Sequence, residues 1–430
     1  NMLFRCLFSK STRKTNKKQK TMNDIKFTKT NGGLARTAAS EDPISGLVLF
    51  NLTGTGESST PFVFGTEDGQ IKGFEAVTVG NETAYVKKFT FPEQLEECGI
   101  EYEKYEDTAL SELQKAKNFV HYHISEFFRM NESGTVYLML ANADVSVDAI
   151  AVLQNYANGR LRQIGVMTNG DNATAYQLAL TEMEANHKPA SLVLTKSGKN
   201  VELATLTGTS LETAGRCNVS ELIGCDFDVT KVNELGDYAY FGCLGTLLGA
   251  ISKASVNESI AWVQKFPLGF ESPALTNGNL IKNVSEGNQD LLNANRYIFV
   301  RTYVGDADCY FNDSHTEDSV TSDYAFIENV RTIDKACRGI RKNLLPYMNS
   351  PMKVDSQTGK LDPTTVSYLQ SIASDALTDM EKVGEISGYS VEIDPDQNVL
   401  ATSELEIIVK KVPVGVIRKM NVKIGYTTKL

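Results

Sequence analysis

Two glycine-containing stretches have the kinds of residue that hold phosphate groups. They are Gly54-Thr55-Gly56 and Ser197-Gly198-Lys199-Asn200. A phosphate loop needs a glycine five positions before its Gly-Lys pair and a Ser or Thr directly after the lysine. The first stretch lacks the Gly-Lys pair, the second lacks the earlier glycine, and Asn200 stands where the hydroxyl residue belongs. Neither stretch predicts a nucleotide site, and no GxSxG nucleophile motif occurs.

Two further groups of residues have side chains that can bind metal ions. His121 and His123 alternate along the chain, so on a strand they would share one face. No third ligand follows them at a recognisable spacing. An acidic stretch contains the oxygen ligands that calcium prefers, at Asp306, Asp308, Asp313, Glu317 and Asp318. Because it lacks the spacing and the glycine of a calcium loop, we favour structural roles for both groups and predict no catalytic residue, metal or cofactor.

A row of basic residues repeats at helical spacing in the C-terminal third of the chain. Its members are Arg331, Lys335, Arg338 and Lys342. Apolar residues follow the same spacing on another face, at Ile327, Val330, Ile333, Cys337, Ile340 and Leu344. The pattern predicts a long helix with capping residues at 321–323 and an end at Pro346. The row itself is either a solvated helix face, as such rows usually are, or a surface for an acidic partner.

The composition is that of an ordinary globular chain of two or three domains. Of the 430 residues, 41% are hydrophobic and 22% charged. No apolar run approaches the roughly 20 residues of a membrane span. The seven cysteines are scattered without a CxxC pair, which favours a reducing compartment over a disulfide framework or a zinc site. A net charge of −10 argues against general nucleic-acid binding.

The charge is distributed unevenly along the chain. The first 20 residues hold seven basic residues and no acidic one, which leaves 36 basic against 53 acidic residues, or −17, in the remainder. Met22 begins a segment that reads like a natural start. We therefore interpret residues 1–21 as upstream translated sequence, a tag-like leader or a disordered basic arm without a role in function.

The middle of the chain alternates between strand and helix patterns. Strands are predicted at 47–50, 135–140, 161–167 and 190–194, with helices at 145–156 and 173–187. This alternation predicts a mostly parallel sheet. A Gly/Ala/Leu-rich helix at 242–255 is expected to pack tightly.

The C-terminal third mixes strands and helices. Strands are predicted at 296–304, 389–393 and 405–412. A second helix begins with Asp362 as its N-cap and Pro363 at its first position, and Gly384 ends it. Its buried side is predicted at Val366, Leu369, Ala373, Ala376, Met380 and Val383.

Both chain ends carry short alternating segments. Ile25 and Phe27 alternate with polar residues and are followed by Asn31-Gly32-Gly33. The last segment alternates through Met420, Val422, Ile424 and Tyr426. Such terminal strands pair either with a sheet of their own chain or with a sheet of a neighbouring subunit.

An ordered set of motifs resembles the C-terminal domain of contractile-tail sheath proteins. After the strand at 296–304 it comprises Asp-Tyr at 323–324, Asn-Val-Arg-Thr-Ile-Asp-Lys-Ala at 329–336, Leu-Leu-Pro at 344–346, Asp-Pro-Asp-Gln-Asn-Val-Leu at 394–400 and Val-Pro-Val-Gly-Val at 412–416. The resemblance covers residues 262–430 and is nearest to sheath proteins of phages or prophages of Bacteroidetes-type hosts. Many sheath proteins begin with a Pro-Gly-Val-Tyr-like segment, which residues 31–36 do not match.

The resemblance implies a multi-domain fold, α/β plus α+β, with extended terminal arms. We predict a leader at 1–21, an N-terminal arm at 22–45, an α/β outer domain at 46–270, an α+β sheath domain at 271–403, and C-terminal strands or an arm at 404–430. The basic row Arg331, Lys335, Arg338 and Lys342 would then face a tail tube. The arm residues Ile25, Phe27, Met420, Val422, Ile424 and Tyr426 would contact neighbouring subunits.

The implied function is structural. A sheath subunit forms hexameric rings stacked into a helical polymer around a tail tube, contacts baseplate and tail terminator proteins, and contracts to drive the tube through a host envelope. It is assembled in the host cytoplasm, resides in the tail of the virion, binds no nucleic acid and does not insert into a membrane. The alternative is an α/β enzyme of the hydrolase type with a dispersed active site.

Overall fold

The computed structural model describes residues 40–52, 71–141, 147–170, 172–212 and 215–427. The chain divides into two units, Asn1–Ser40 and Glu41–Leu430, and all the helices and strands below belong to the second. The predicted leader, the arm residues Ile25 and Phe27, and the stretch Gly54–Gly56 lie outside the described residues.

The described residues form strands of five to eight residues up to Lys196, of three residues between Val219 and Phe311, and of seven and six residues from Ile386 onwards. They are β1 Ile44–Phe50, β2 Glu75–Val79, β3 Glu82–Phe89, β4 Thr135–Ala141, β5 Gln163–Thr168, β6 Ser191–Lys196, β7 Val219–Glu221, β8 Gly224–Asp226, β9 Pro273–Leu275, β10 Val300–Thr302, β11 Cys309–Phe311, β12 Ile386–Glu392 and β13 Ile408–Pro413.

The helices range from single turns to five turns. They are α1 Gln94–Glu97, α2 Glu112–Met130, α3 Ala149–Tyr156, α4 Ala173–Ala185, α5 Leu203–Gly208, α6 Val229–Leu235, α7 Leu244–Lys253, α8 Glu286–Ala294, α9 Ile327–Leu344, α10 Pro363–Lys382 and α11 Val399–Thr402. Short 3₁₀ turns lie at Gly236–Tyr240, Ile281–Asn283 and Leu345–Tyr347.

A seven-stranded sheet forms the centre of the molecule, in the order β2-β3-β4-β1-β5-β6-β7. From β4 to β7 all neighbours are parallel, while β3 runs antiparallel to β4 and to β2. Strand β1 is buried over most of its length because helices cover both faces of such a sheet. The parallel α/β arrangement predicted for the middle of the chain is confirmed.

Helix α7 packs against α2 at very short range. A methyl group at Gly245 would lie 2.0 Å from the carbonyl oxygen of His123, and one at Gly249 would lie 2.6 Å from that of Phe127. Only glycine allows two helix backbones to come this close. The tight packing predicted for residues 242–255 is therefore confirmed.

The predicted strand at 296–304 is wrong over most of its length. Arg296 has a φ of +74° and belongs to a turn. Ile298 forms a parallel bridge with Leu222, which extends the edge of the large sheet. Only β10 then pairs, antiparallel, with β11. The apolar run is buried through Val300, but it serves two different strand partners in succession.

Helix α9 begins later than its capping residues predict. Its N-cap is Phe326, whose side chain makes no capping hydrogen bond. The predicted cap Ser322 instead donates to Asp318 Oδ2 at 2.6 Å, which stabilises a turn before the helix. The predicted end is confirmed, since α9 stops at Leu344 and Pro346 lies in the following 3₁₀ turn.

Helix α10 follows its predicted pattern closely. Asp362 accepts a hydrogen bond from Thr364 N at 3.2 Å and Pro363 stands in the first turn. The predicted positions Val366, Leu369, Ala373 and Met380 are buried together with Leu377. Val383, predicted buried, is 72% exposed because the helix has already ended there.

The chain ends beyond a two-stranded sheet. Strand β13 pairs antiparallel with β12, and residues 414–427 then form no strand within the described chain. The domain boundary at 270–271 stays a prediction. Ile298, Cys309 and Ile327 belong to the same hydrophobic core as the large sheet.

Candidate functional site

The lysine stretch after β6 is a packing feature. A methyl group at Gly198 would lie 2.4 Å from the backbone carbon of Thr276, so this glycine allows a close approach of two loops. Lys199 Nζ pairs with Asp237 Oδ1 at 2.5 Å on the surface. Neither residue is arranged around a space for a phosphate group.

The two histidines lie on helix α2 and not on a strand, so they point in different directions. His123 is buried, accepts a hydrogen bond from Gly245 N at 3.1 Å, and has its pKa lowered to about 3 by burial. His121 Nδ1 lies 3.1 Å from Ser125 Oγ. The face-sharing arrangement considered for them is therefore wrong, and within the described ranges no three His, Cys, Asp or Glu residues are grouped to hold a metal ion.

The acidic stretch is divided among separate structural roles. Asp306 accepts hydrogen bonds from the Asp308 amide at 3.1 Å and from Tyr310 Oη at 2.9 Å, and both lower its pKa. Glu317 pairs with Arg216 at 3.0 Å, and Asp318 accepts from Ser322. Asp313 lies beside Arg418. These carboxylates do not converge on one point.

The basic row on α9 does not form one exposed surface. Arg331 is 4% exposed, and its guanidinium donates to the carbonyl oxygens of Ala254 and Ser255 at 3.2–3.3 Å. Ala254 is the C-cap of α7, so Arg331 satisfies the carbonyl end of that helix and complements its dipole. The prediction that Arg331 is part of an exposed basic surface is therefore wrong. Lys342 is exposed.

The two central members of the row bind the start of the described chain. Lys335 Nζ lies 2.8 Å from Asp42 Oδ2 and 2.5 Å from Glu385 Oε1, and Arg338 Nη2 lies 3.2 Å from Asp42 Oδ1. Asp42 exposes 16% of its side chain. The neighbouring Glu41 pairs with Arg162, which is also buried. Helix α9 thus holds the segment that leads into β1.

The first turn of α9, on the same face of the helix, binds the C-terminal segment. Arg418 Nε lies 2.9 Å from Asp313 Oδ2, and its Nη2 pairs with Glu328 in the first turn of α9. Its guanidinium carbon is 3.4 Å from the ring centre of Phe326. Ser314 Oγ donates to the second oxygen of Glu328 at 2.5 Å, which orients that carboxylate. The arginine therefore has both ionic and cation–π partners.

Burial shifts the pKa values along this face in opposite directions. It lowers the pKa of Arg331 to about 10, so the residue stays charged at neutral pH. It raises the pKa of Asp334 to about 7 although Arg338 opposes the shift. It also raises that of Glu328, against the attraction of Arg418. The face is a buried ionic network.

Apolar side chains in the segment around Arg418 are exposed. Met420 is 76%, Val422 85% and Ile424 96% exposed, and Tyr426 is fully exposed. Hydrophobic side chains on one side of an unpaired segment mark an interaction surface. The pairing predicted for these residues stays a prediction.

The ion pairs of Arg418, Asp42 and Glu328 with residues distant in the sequence were not predicted. No spacing marks Arg418, because its partners Asp313 and Glu328 are 105 and 90 residues away. Glu328 does stand three residues before Arg331 and seven before Lys335, on the same helix face. An acidic residue at the head of a basic row was the available signal that part of the row has partners within the chain.

Two family models match the sequence over most of its length. The one described as DUF2586, N-terminal domain, matches residues 105–315, and DUF2586, C-terminal domain, matches residues 323–430. The chain belongs to the DUF2586 family. The interval between the two matches falls in the turns that precede α9. No curated protein matches this sequence.

Solved structures of contractile machines share the fold of this DUF2586 protein along nearly its whole length. A chain of the anti-feeding prophage baseplate, 6-fold symmetrised, matches with a TM-score of 0.57 and 12% identity over 95% of this chain and 99% of its own. The anti-feeding prophage helical sheath in the contracted state gives 0.54 and 15%, over 94% and 100%. The contracted PVC sheath complex of an extracellular contractile injection system gives 0.57 and 11%, over 95% and 98%.

These matches confirm, for the fold, the resemblance to contractile-tail sheath proteins that the sequence motifs predicted. The likeness extends beyond residues 262–430 to the sheet-containing half of the DUF2586 chain. None of the described helices is both long enough and apolar enough to cross a membrane.

Proposed function

We propose that this chain is the sheath subunit of a contractile tail-like machine. The observation that carries the proposal is the match to the contracted anti-feeding prophage sheath over 94% of this chain and 100% of that one. A match of this extent takes in nearly all of both chains. The described residues contribute paired, buried charges and an unpaired apolar segment, which suit assembly better than catalysis.

In this proposal the subunit forms a helical homopolymer around a tail tube. Helical polymers use contacts that do not close on themselves, and exposed terminal segments supply such contacts by adding a strand to a neighbour's sheet. Met420, Val422, Ile424 and Tyr426 would add to the two-stranded sheet β12–β13 of another copy, and Ile25 and Phe27 would act likewise. Contraction would be a change between two packings of the same subunits.

The proposed setting is a phage tail or a related injection device. Baseplate and terminator proteins would bind the two ends of the polymer, and the subunit would be made in the bacterial cytoplasm before it becomes part of the tail. On α9, the surface left for a tube contact is Lys342 and the outer parts of Lys335 and Arg338. Arg331 is excluded from that contact by its burial.

Size-exclusion chromatography followed by negative-stain electron microscopy tests this function. Rings or tubes from the purified full chain, and their loss when residues 419–430 are deleted, are the expected result. The deletion should leave the melting temperature of the monomer unchanged because the side chains at 419–427 are exposed. A compact monomer that hydrolyses a model ester, and loses that activity through one substitution, would instead support the enzyme alternative.

A further inference from the structure

Helix α9 contacts two segments that are far apart in the sequence, one before β1 and one after β13. Asp42, near the start of the described body, lies within 3.2 Å of Arg338 and 2.8 Å of Lys335. Arg418, in the segment beyond β13, pairs with Glu328 and with the adjacent Asp313. Two segments that are 376 residues apart in numbering are thus attached to one helix.

The two attachments share one face of that helix. Glu328, Lys335 and Arg338 are separated by seven and three residues, steps that place side chains on one side of a helix. With a rise of 1.5 Å per residue, the two attachments are about 15 Å apart along the axis. Arg331 lies between them and is hydrogen-bonded to the end of α7, which fixes α9 to the core. The helix is therefore a rigid support at both points.

The C-terminal attachment is localised at a single side chain. Ile417 and Met420 are 73% and 76% exposed, and Arg418 as a whole residue is exposed too, but its side chain retains 29% of its accessible surface because it contacts its partners. Its partners Asp313 and Glu328 are 8% and 3% exposed. Buried carboxylates with an arginine partner form the stronger class of ion pair, and removing one partner leaves the others uncompensated.

We propose that α9 is a common bracket that holds both the segment leading into β1 and the segment beyond β13, with Asp42 and Arg418 as its two anchoring residues. Arg418 shortens the free C-terminal tether, so residues 419–427 leave the body from a defined point. That the ends so positioned engage neighbouring subunits rests on the proposed function. The anchoring itself is a property of the single chain.

Spin-label distance measurements on the unassembled full chain test the C-terminal anchor. Labels are placed at Val422→Cys and Leu178→Cys, both highly exposed, with Cys6, Cys217 and Cys337 replaced by Ser. Arg418→Gln lengthens the tether before the label from four residues to nine, so its reach grows about twofold, from about 14 Å to about 30 Å. We expect a narrow distribution of label-to-label distances in the chain with Arg418 and a broader one in Arg418→Gln. Lys419→Gln, which removes one positive charge at the next, exposed residue, should leave it narrow.

Hydrogen exchange tests the N-terminal anchor. Asp42→Asn should accelerate exchange at Ile44, whose amide donates to Glu41 O at 3.0 Å. Asp290→Asn, at an exposed position on α8, is the matched control and should change nothing in that peptide. Equal distance widths for the wild type and Arg418→Gln, or unchanged exchange in Asp42→Asn, would overturn the bracket. If both anchors are confirmed but the wild type forms no polymer, the proposed function fails while the bracket stands.

Discussion

Helix α7 is held by one kind of contact along its length and by another at its C-terminus. Along its length, Gly245 and Gly249 let it contact the backbone of α2, a contact that depends on the small size of these residues and includes the hydrogen bond from Gly245 N to His123. At its C-terminus, the carbonyl of Ala254 accepts hydrogen bonds from the buried guanidinium of Arg331. The first contact tolerates no added atom, and the second requires a charge in a site that water does not reach. Complementary shape and complementary charge therefore fix one helix at different points.

The glycine contact should be the more sensitive of the two. Gly245→Ala places a methyl group against the His123 carbonyl, so α7 and α2 must separate, which should cost about 3 kcal/mol or more. Thermal or urea unfolding would show this as a lower midpoint. Gly287→Ala in α8 is the control because nothing lies within 4 Å of the added methyl, and it should be neutral or slightly stabilising. Equal midpoints for the two variants would refute the close contact.

Removing the charge at the end of α7 should have a somewhat smaller effect. Arg331→Met keeps the apolar stem but leaves the carbonyls of Ala254 and Ser255 without their donor, at a cost of about 2 kcal/mol. Lys342→Met on the same helix is exposed and should change stability by less than about 0.5 kcal/mol. If both variants unfold at the wild-type midpoint, Arg331 is solvated and the row is an ordinary helix surface.

Asp334, in the ionic network, should also make the stability of the protein depend on pH. The folded pKa of Asp334 is raised from 3.8 to about 7, so between these values the folded chain holds a proton that the unfolded chain has lost. Its contribution is complete below the unfolded pKa and is lost as pH rises through the folded pKa. From pH 5 to pH 6, wild type should lose about 1.4 kcal/mol relative to Asp334→Asn.

Urea midpoints of both proteins across pH 4.5–8 would measure this difference. Because the remaining groups titrate alike in the two chains, their contributions cancel. A constant difference over that whole range would mean that Asp334 is ionised throughout, and that Arg162 and Arg338 outweigh its burial.

The smallest effect is expected at the exposed end of the row. Lys342→Glu should leave the melting temperature unchanged but weaken co-assembly with a tube protein, since single exposed pairs contribute about 0.2–1 kcal/mol each. Sedimentation of sheath with tube at increasing salt would show it, because salt screens such contacts. Normal co-assembly of the variant at all salt concentrations would remove Lys342 from the proposed interface.

The two contacts of α7 also differ in how far they could be predicted from the sequence. Three features depend on local patterns and were predictable. The α/β order follows from apolar spacing, the tight packing of α7 from its glycines, and the cap of α10 from an Asp-Pro start. The start of α9 was not, because Ser322 had a nearby competing partner in Asp318. The burial of Arg331 depends on the end of a helix 77 residues earlier. A periodic basic row looks the same whether it faces water or the carbonyl end of another helix.

The chain ends mark the limit of single-chain reasoning in the same way. The alternation of Met420, Val422, Ile424 and Tyr426 predicts a strand, and in the isolated chain these residues have no strand pairing. In the proposed polymer, another copy would supply the partner for this strand. The anchor at Arg418 is the part of this segment that the single chain already specifies.

A helical cryo-electron microscopy reconstruction of the assembled full chain tests the central proposal most directly. We expect tubes in which residues 41–413 keep the fold of the single chain and Arg418 stays paired with Asp313 and Glu328. In these tubes residues 420–426 form a strand on the β12–β13 sheet of a neighbouring subunit. A protein that remains monomeric under all assembly conditions, or tubes in which residues 420–426 fold back on their own subunit, would contradict it.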